Sequence, residues 1–444
     1  MKKDKNTKII NLVFVILAAL GFTFYCFELV SLHYNQTLYV ETGTYESDLF
    51  AHIQMALDGW GYSIMAIVFR ILSILPPFGF HFAIAAILCA CEAATIAVTF
   101  VFVRKNNVET KAAIVLTAMS GFVMPMYIRA VQPYRYIGYQ SASIWHNSTY
   151  IVMKLLALLC VILYLLISQN YMQQIKIWQV IVFSILLALT TSVKTNFILV
   201  FAPVALVFLI FDWIRGVPLK RILICAATVI PSILVILFQE IVLFGKSTGN
   251  GIIVDPLYSV YLRAEKPYLT MILSAAFPVS VLFYNFIPVI KDTIKELKEK
   301  KEKLTHRHFI LAWAMWFVGF AELILLREVG ERELDDNFAW GYDFCLFVLF
   351  VVSIVYFANN IKAIIYKIMQ DNASSKSVKK KNKKDKSEDD EMSIISDSFL
   401  LEGKGSVPVA IAYQSIIGLM LLYHTYCGVY FFVKLTQGMT FFMQ

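Results

Sequence analysis

The apolar positions of this chain do not alternate. They gather into continuous runs at 9–30, 79–103, 112–128, 149–168, 177–192, 196–214, 222–244, 269–290, 309–326, 344–361 and 408–431. A helix needs about 20 apolar residues to cross hydrocarbon, so the pattern predicts an all-α membrane protein of about eleven transmembrane helices. The stretch 61–75 is too short for a span, carries Arg70 and stops at Pro76-Pro77. It reads as an interfacial or re-entrant helix.

The polar breaks between the runs set an orientation. If 61–75 stays on the outer side, the inner segments are 1–8, 104–111, 169–176, 215–221, 291–308 and 362–407, and they hold most of the 39 Lys and Arg residues. Counting 61–75 as a span would put the basic run 291–308 outside, against the positive-inside rule. The basic start followed by an apolar run has the shape of a signal peptide, but the run is long and Glu28 stands where a small-residue cleavage site would be needed. The first helix is therefore read as retained, with the N-terminus inside and the C-terminus outside. Residues 1–370 form the transmembrane domain, with outer loops at 32–78, 129–148, 245–268 and 327–343. Residues 371–407 read as a Lys-rich, then acidic, low-complexity cytoplasmic linker, and 408–444 as the last helix and an outer tail. Segment 291–308 reads as a charged helix with pairs such as Glu299–Lys303, and 245–268 as a flexible lid or entry loop.

Composition narrows the class. Of 444 residues, 59% are hydrophobic and 16% charged, and the mean hydropathy is +0.68. Soluble domains average roughly 45–50% apolar and about 25% charged, which excludes an ordinary cytosolic enzyme and a disordered chain. The net charge of +8 reports orientation in a chain of this kind and does not imply a nucleic-acid partner. Lys-, Asn- and Ile-rich usage points to a bacterial plasma membrane. The seven cysteines lie in or beside apolar runs and read as small buried hydrophobes.

Three outer segments are more polar than connectors need to be. Segment 32–60 holds Glu41, Glu46, Asp48, His52 and Asp58 and no Lys or Arg. Ser47 has the character of an N-cap opening a helix from Asp48 to about Leu57, on which Asp48 and His52 share a face. A carboxylate and an imidazole so placed suit general-base chemistry or a divalent cation; the plain alternative is a first-turn carboxylate with a solvated His. Segment 129–150 combines Arg129, Arg135 and His146 with tyrosines, as would suit a lipid phosphate, or simply an aromatic belt with snorkelling arginines. Segment 327–343 sets Asp336 and other acids beside Trp340, a sugar-contacting composition, though a solvated loop closed by ion pairs would look the same. Lys194 breaks two spans on the outer side and is a candidate for meeting an anion. Glu28, Glu92, Glu240 and Glu322 fall inside apolar runs, where acids are costly.

No phosphate-binding loop, Gly-x-Gly-x-x-Gly, His-Glu-x-x-His or Gly-x-Ser-x-Gly occurs, which argues against an ATP-driven pump or a nucleotide-sugar enzyme. The long first outer loop, with Tyr45-Glu46-Ser47-Asp48, the helix 48–58 and the amphipathic 61–75, resembles the C-type membrane glycosyltransferase superfamily (GT-C). The resemblance is one of topology over most of the chain and of motif over that loop alone, and the chain lacks the paired Asp-Asp and the soluble C-terminal outer domain that some members carry. It implies transfer of a sugar from a polyprenyl-phosphate donor to an envelope glycan or glycolipid acceptor at the outer face, with inversion. Asp48 would be the base or a ligand to a divalent cation (Mg or Mn), with Glu46 second and His52 as partner. Arg129, Arg135 and Lys194 would hold the departing phosphate, and His146, Asp336 and Trp340 would complete the substrate site. The alternatives are an envelope polysaccharide polymerase and a non-enzymatic flippase or transporter for lipid-linked sugars; the latter predicts Glu92, Glu240 and Glu322 on one central path.

Overall fold

The computed structural model describes residues 2–38, 43–59, 63–244, 251–330, 333–334, 337–377 and 406–440. The described residues form a bundle of α-helices with one small two-stranded sheet. Nine helices among the described residues are long and apolar enough to cross a membrane. These are α1 (Lys2–Leu38), α4 (Pro77–Lys105), α6 (Ser148–Ser168), α8 (Asn196–Ile214), the continuous pair α9 (Leu219–Ala227) and α10 (Ile230–Phe244), α12 (Pro267–Lys298), α13 (Arg307–Leu325), α14 (Ala339–Ser377) and α15 (Ser406–Thr436). Two of the eleven expected spans are shorter apolar helices, α5 (Thr110–Ser120) and α7 (Ile177–Val193). The stretch 61–75 contributes only α3 (Ile64–Leu72), nine residues that bury Met65, Ala66 and Phe69.

At the centre stands α14. Every residue from Phe344 to Val355 is buried, so this helix is apolar on all sides and shielded from lipid by its neighbours. It packs against α13, α12, α8 and α15.

The run expected as a span at 112–128 departs most from a plain helix. At 1.5 Å per residue α5 rises only about 16 Å. It ends at Gly121, and the chain continues without helix through Pro125. Irregular backbone is tolerated at membrane depth only where protein satisfies its polar groups, and here it does. The Met124 amide donates to the His424 carbonyl (3.2 Å), the His424 ring donates back to the Met124 carbonyl (2.7 Å), and the Met126 amide donates to the Leu273 carbonyl (3.1 Å). The strand-like segment lies against α15 at Gly428, where an added Cβ would fall inside the Phe122 carbonyl. Gly428→Ala is therefore expected to destabilise the protein by about 1–3 kcal/mol through overpacking, read as a lower melting temperature in detergent.

Contacts sort the connections to two ends of the bundle. Gln173 donates to Glu302 (2.5 Å), Arg215 to the Lys301 carbonyl (2.7 Å) and Asn359 to the Asn106 carbonyl (3.0 Å), which gathers the Lys- and Arg-bearing connections at one end. At the other end the Tyr45 amide meets the Gly438 carbonyl (3.2 Å), Asp48 meets the loop before α6, and Lys266 donates to the Ala130 carbonyl (2.8 Å).

Several expectations change in detail. The helix expected across 291–308 stops at Lys298, because the chain turns back at Glu299 and Lys300, the latter with positive φ. Lys301, not Lys303, is then the residue that reaches Glu299 (3.6 Å). The loop 245–268 is structured where described: β1 (Gly251–Val254) pairs antiparallel with β2 (Leu326–Val329), and α11 (Tyr258–Arg263) follows. Of the linker expected at 371–407, residues 371–377 continue α14 and 406–407 open α15; the remainder, 378–405, lies outside the described residues.

Candidate functional site

The helix α2 (Asp48–Leu57) starts where its sequence predicts, with the Ser47 hydroxyl accepting the Leu49 amide (3.3 Å). Asp48 is thereby fixed in the first turn, and its own amide donates to the His146 carbonyl (3.1 Å). Its carboxylate Oδ2 accepts from the Asn147 side-chain amide at 2.6 Å and lies 4.0 Å from His146 Nε2. Asn147 does two jobs: its Oδ1 also caps α6 through the Tyr150 amide (2.8 Å). The Asp48 side chain keeps 37% of its exposure, enough to meet a ligand while held by one strong hydrogen bond.

Asp48 opens into a cavity of about 910 Å³. Its wall includes His52, His146, Lys194, Asn196, Arg263 and Trp340, with apolar contributions from Met55, Leu199 and Ile236. His52 shares a hydrogen bond with Ser148 Oγ (2.9 Å). Lys194 donates to Thr149 Oγ1 (3.3 Å) and lies 4.5 Å above the Trp340 ring. The close approach of α8 and α14 that sets Lys194 beside Trp340 needs Gly341, whose Cβ would come within 3.1 Å of the Asn196 carbonyl.

Four helix N-termini meet this cavity: α2 at Asp48, α6 at Asn147 to Thr149, α8 at Thr195 and Asn196, and α14 at Asn337 to Trp340. Each carries partial positive charge on its first amides. On α2 and α6 a side chain caps them, whereas Thr195 makes no such bond at the start of α8. Lys194 adjoins that uncapped end, so this corner of the cavity favours an anion. Asp48, Glu240 and Glu328 add carboxylates to the same lining, and Glu328 is linked to Asn196 at the start of α8 through the Asn337 side chain and carbonyl.

His146 is buried and shares a hydrogen bond with the Tyr136 hydroxyl (3.3 Å). Burial pushes its pKa below the ordinary 6.5, Asp48 pulls it up and Lys194 pushes it down, with burial prevailing. As pH falls below about 6.5, the unfolded imidazole gains a proton that the folded one does not yet accept. The group thus contributes stability above that pH and loses it as pH falls toward the folded pKa. His146→Gln is expected to flatten the fall in melting temperature between pH 7 and about pH 5.

The structure thus brings together Asp48, His52, His146, Lys194 and Trp340. It does not bring the two expected arginines. Arg129 is exposed, and Arg135 is held between the rings of Tyr127 and Tyr430, its guanidinium 4.1 Å from each centroid; neither lines the cavity. Glu46 is exposed and off the lining. Glu41 and Asp336 lie outside the described residues. The segment 136–148 is largely buried rather than spread as a surface belt. Among the intramembrane acids, Glu240 faces the cavity, Glu92 forms a buried pair with Lys154 (3.9 Å), and Glu322 sits beside Gly341. They do not share one path. Among the described residues no three His, Cys, Asp or Glu side chains assemble as a metal site. Asp48 offers one carboxylate to a divalent cation, whose other ligands would have to be substrate phosphate and water.

Asn147, Thr149, Asn196 and Arg263 were not among the expected site residues. A local signal existed only for Asn147, as the N-cap of an apolar run. In comparisons with known proteins, the chain matches no protein-family model and no curated protein.

Proposed function

We propose that this multi-pass membrane protein transfers a sugar from a polyprenyl-phosphate donor to a glycan or glycolipid hydroxyl, with the cavity facing the outer side of a bacterial plasma membrane. The observation that carries the reading is the sharing of one cavity by the Asp48 carboxylate and the Lys194–α8 anion corner. Its volume of about 910 Å³ is at the upper end of the roughly 300–1,000 Å³ usual for ligand pockets. That is room for a sugar phosphate and part of an acceptor together. The cavity also lies at the end away from the basic connections, as an outer site requires under the positive-inside rule.

The step is a single displacement. Asp48 takes the proton of the acceptor hydroxyl as its oxygen bonds to the anomeric carbon. The bond from that carbon to the donor phosphate breaks, and its electron pair leaves on the phosphate. Lys194 and the first amides of α8 face the negative charge that grows there. Asn147 holds Asp48 Oδ2, which leaves Oδ1 for the acceptor. No part of this step is routed through a metal.

Lys194→Gln tests the anion corner. Losing a charged hydrogen bond of about 1.5–3 kcal/mol is expected to weaken donor use roughly 10- to 100-fold. The check is initial rates in proteoliposomes with a labelled lipid-linked sugar, and an unchanged rate would overturn the role given to Lys194. Single cysteines at 46 and 303, probed from each side of the membrane, test the orientation. Both labelling from one side would overturn the scheme.

A further inference from the structure

Asp343 lies in the first turns of α14, wholly buried, where an unbalanced carboxylate is costly. Its Oδ1 accepts the Ser141 amide (3.1 Å), while Oδ2 has no partner among the described residues. Three other buried side chains nearby share that condition: the Ser141 hydroxyl, both amide atoms of Gln140 and the Tyr150 hydroxyl. Ser141 is joined to Asp343 by the hydrogen bond above, Gln140 is its chain neighbour, and the Tyr150 hydroxyl lies within electrostatic reach of the carboxylate.

No Lys, Arg or His among the described residues forms an ion pair with Asp343. Lys154, one turn deeper than Tyr150 on α6, is committed to Glu92 and to the Phe347 ring. Buried polar atoms are almost always paired, and each exception calls for an explanation. Protonating Asp343 would neutralise the charge, but its single O–H could partner only one of the Ser141, Gln140 and Tyr150 oxygens. A singly charged cation balances the one carboxylate and takes its remaining ligands from the oxygens of Ser141, Gln140 and Tyr150, leaving only the Gln140 amide nitrogen without a partner among these atoms. A divalent ion would leave excess positive charge in a low-dielectric interior, and a soft metal would favour sulfur or imidazole over this all-oxygen set.

We propose that Asp343 Oδ2, Ser141 Oγ, Gln140 Oε1 and the Tyr150 hydroxyl form a site for an alkali-metal cation of the sodium class. Occupied, it ties the buried segment before α6 to α14, and so braces the His146–Asn147 wall behind Asp48. The proposal does not depend on the transferase reading, and its test uses no sugar substrate.

The test is the melting temperature of the purified full-length protein in detergent, at constant ionic strength, with choline chloride replaced stepwise by sodium, lithium or potassium chloride. A saturable rise with sodium that Asp343→Asn abolishes and Ser141→Ala weakens supports the site. Equal melting temperatures in all chlorides would mean that ordered waters alone satisfy these groups, and would overturn it. A rise with magnesium or calcium but not sodium would overturn the assignment to a singly charged ion. Should Asp343→Asn fail to fold, binding of radioactive sodium to the wild-type protein decides: a saturable component weakened in Ser141→Ala or Tyr150→Phe supports the site, and no saturable component refutes it.

Discussion

Asp48→Asn is expected to lower sugar transfer by about 10²- to 10⁴-fold, the usual worth of a positioned general base. The substitution retains an oxygen that can accept from Asn147, and Ser47 still caps α2, so the fold should persist. The loss should therefore fall on the rate at saturating donor, with donor affinity little changed, because Asp48 meets the acceptor hydroxyl rather than the phosphate. That pattern separates Asp48 from Lys194, whose replacement is expected to act on donor use. The measurement is a pair of saturation curves for the two variants in proteoliposomes, with melting temperatures as the folding control. A fully active Asp48→Asn protein with an intact melting temperature would remove the base from the mechanism, and with it the reason to read the cavity as a transferase site. Asn147→Ala is the companion, since it frees the carboxylate but also uncaps α6.

What could be read in advance follows the range of the interactions involved. The extent of α2 was legible because its cap, Ser47, and its shared Asp48–His52 face lie within a few residues of each other. The nine membrane-length helices among the described residues were legible because apolar length is itself a local property. The departure at 121–127 had local marks in Gly121 and Pro125, but apolar content outweighed them. What makes that irregular segment tolerable, the pairing with His424 and the groove at Gly428, comes from the last helix. The placement of Arg135 away from the cavity was hidden for the same reason. Tyr430, which shares in stacking its guanidinium, lies on α15, far along the chain. The pairing of β1 with β2 and the hydrogen bond from Asn147 to Asp48 also join distant segments, and no spacing rule announces them. The cavity is thus assembled from residues that sequence could nominate one by one but could not group.

Asp212→Ala is expected to destabilise the protein by about 3–5 kcal/mol, the range for breaking a buried charge pair by removing one partner. Asp212 is fully buried near the end of α8 and takes two hydrogen bonds from Arg307, at 2.9 and 2.6 Å. It also accepts from Arg215 (3.1 Å) and from the Tyr171 hydroxyl. Four elements therefore converge on one carboxylate: α8, the turn after it, the connection between α6 and α7, and the first residue of α13. Two of its partners are charged, so its removal leaves Arg307 buried in apolar surroundings with the Tyr164 and Phe208 rings and no carboxylate. Replacing both members with apolar residues of similar size, Asp212→Leu with Arg307→Met, should recover much of the loss, because desolvation of the charges is then avoided. Melting temperatures of the three proteins in detergent give the comparison. A double variant no better than Asp212→Ala would show that the hydrogen bonds to Tyr171 and Arg215, rather than the stranded charge, hold this end together. The cavity lies at the opposite end of the bundle, so any of these variants that folds should keep its rate of sugar transfer. A stable double variant without activity would instead mean that the two ends move together during turnover.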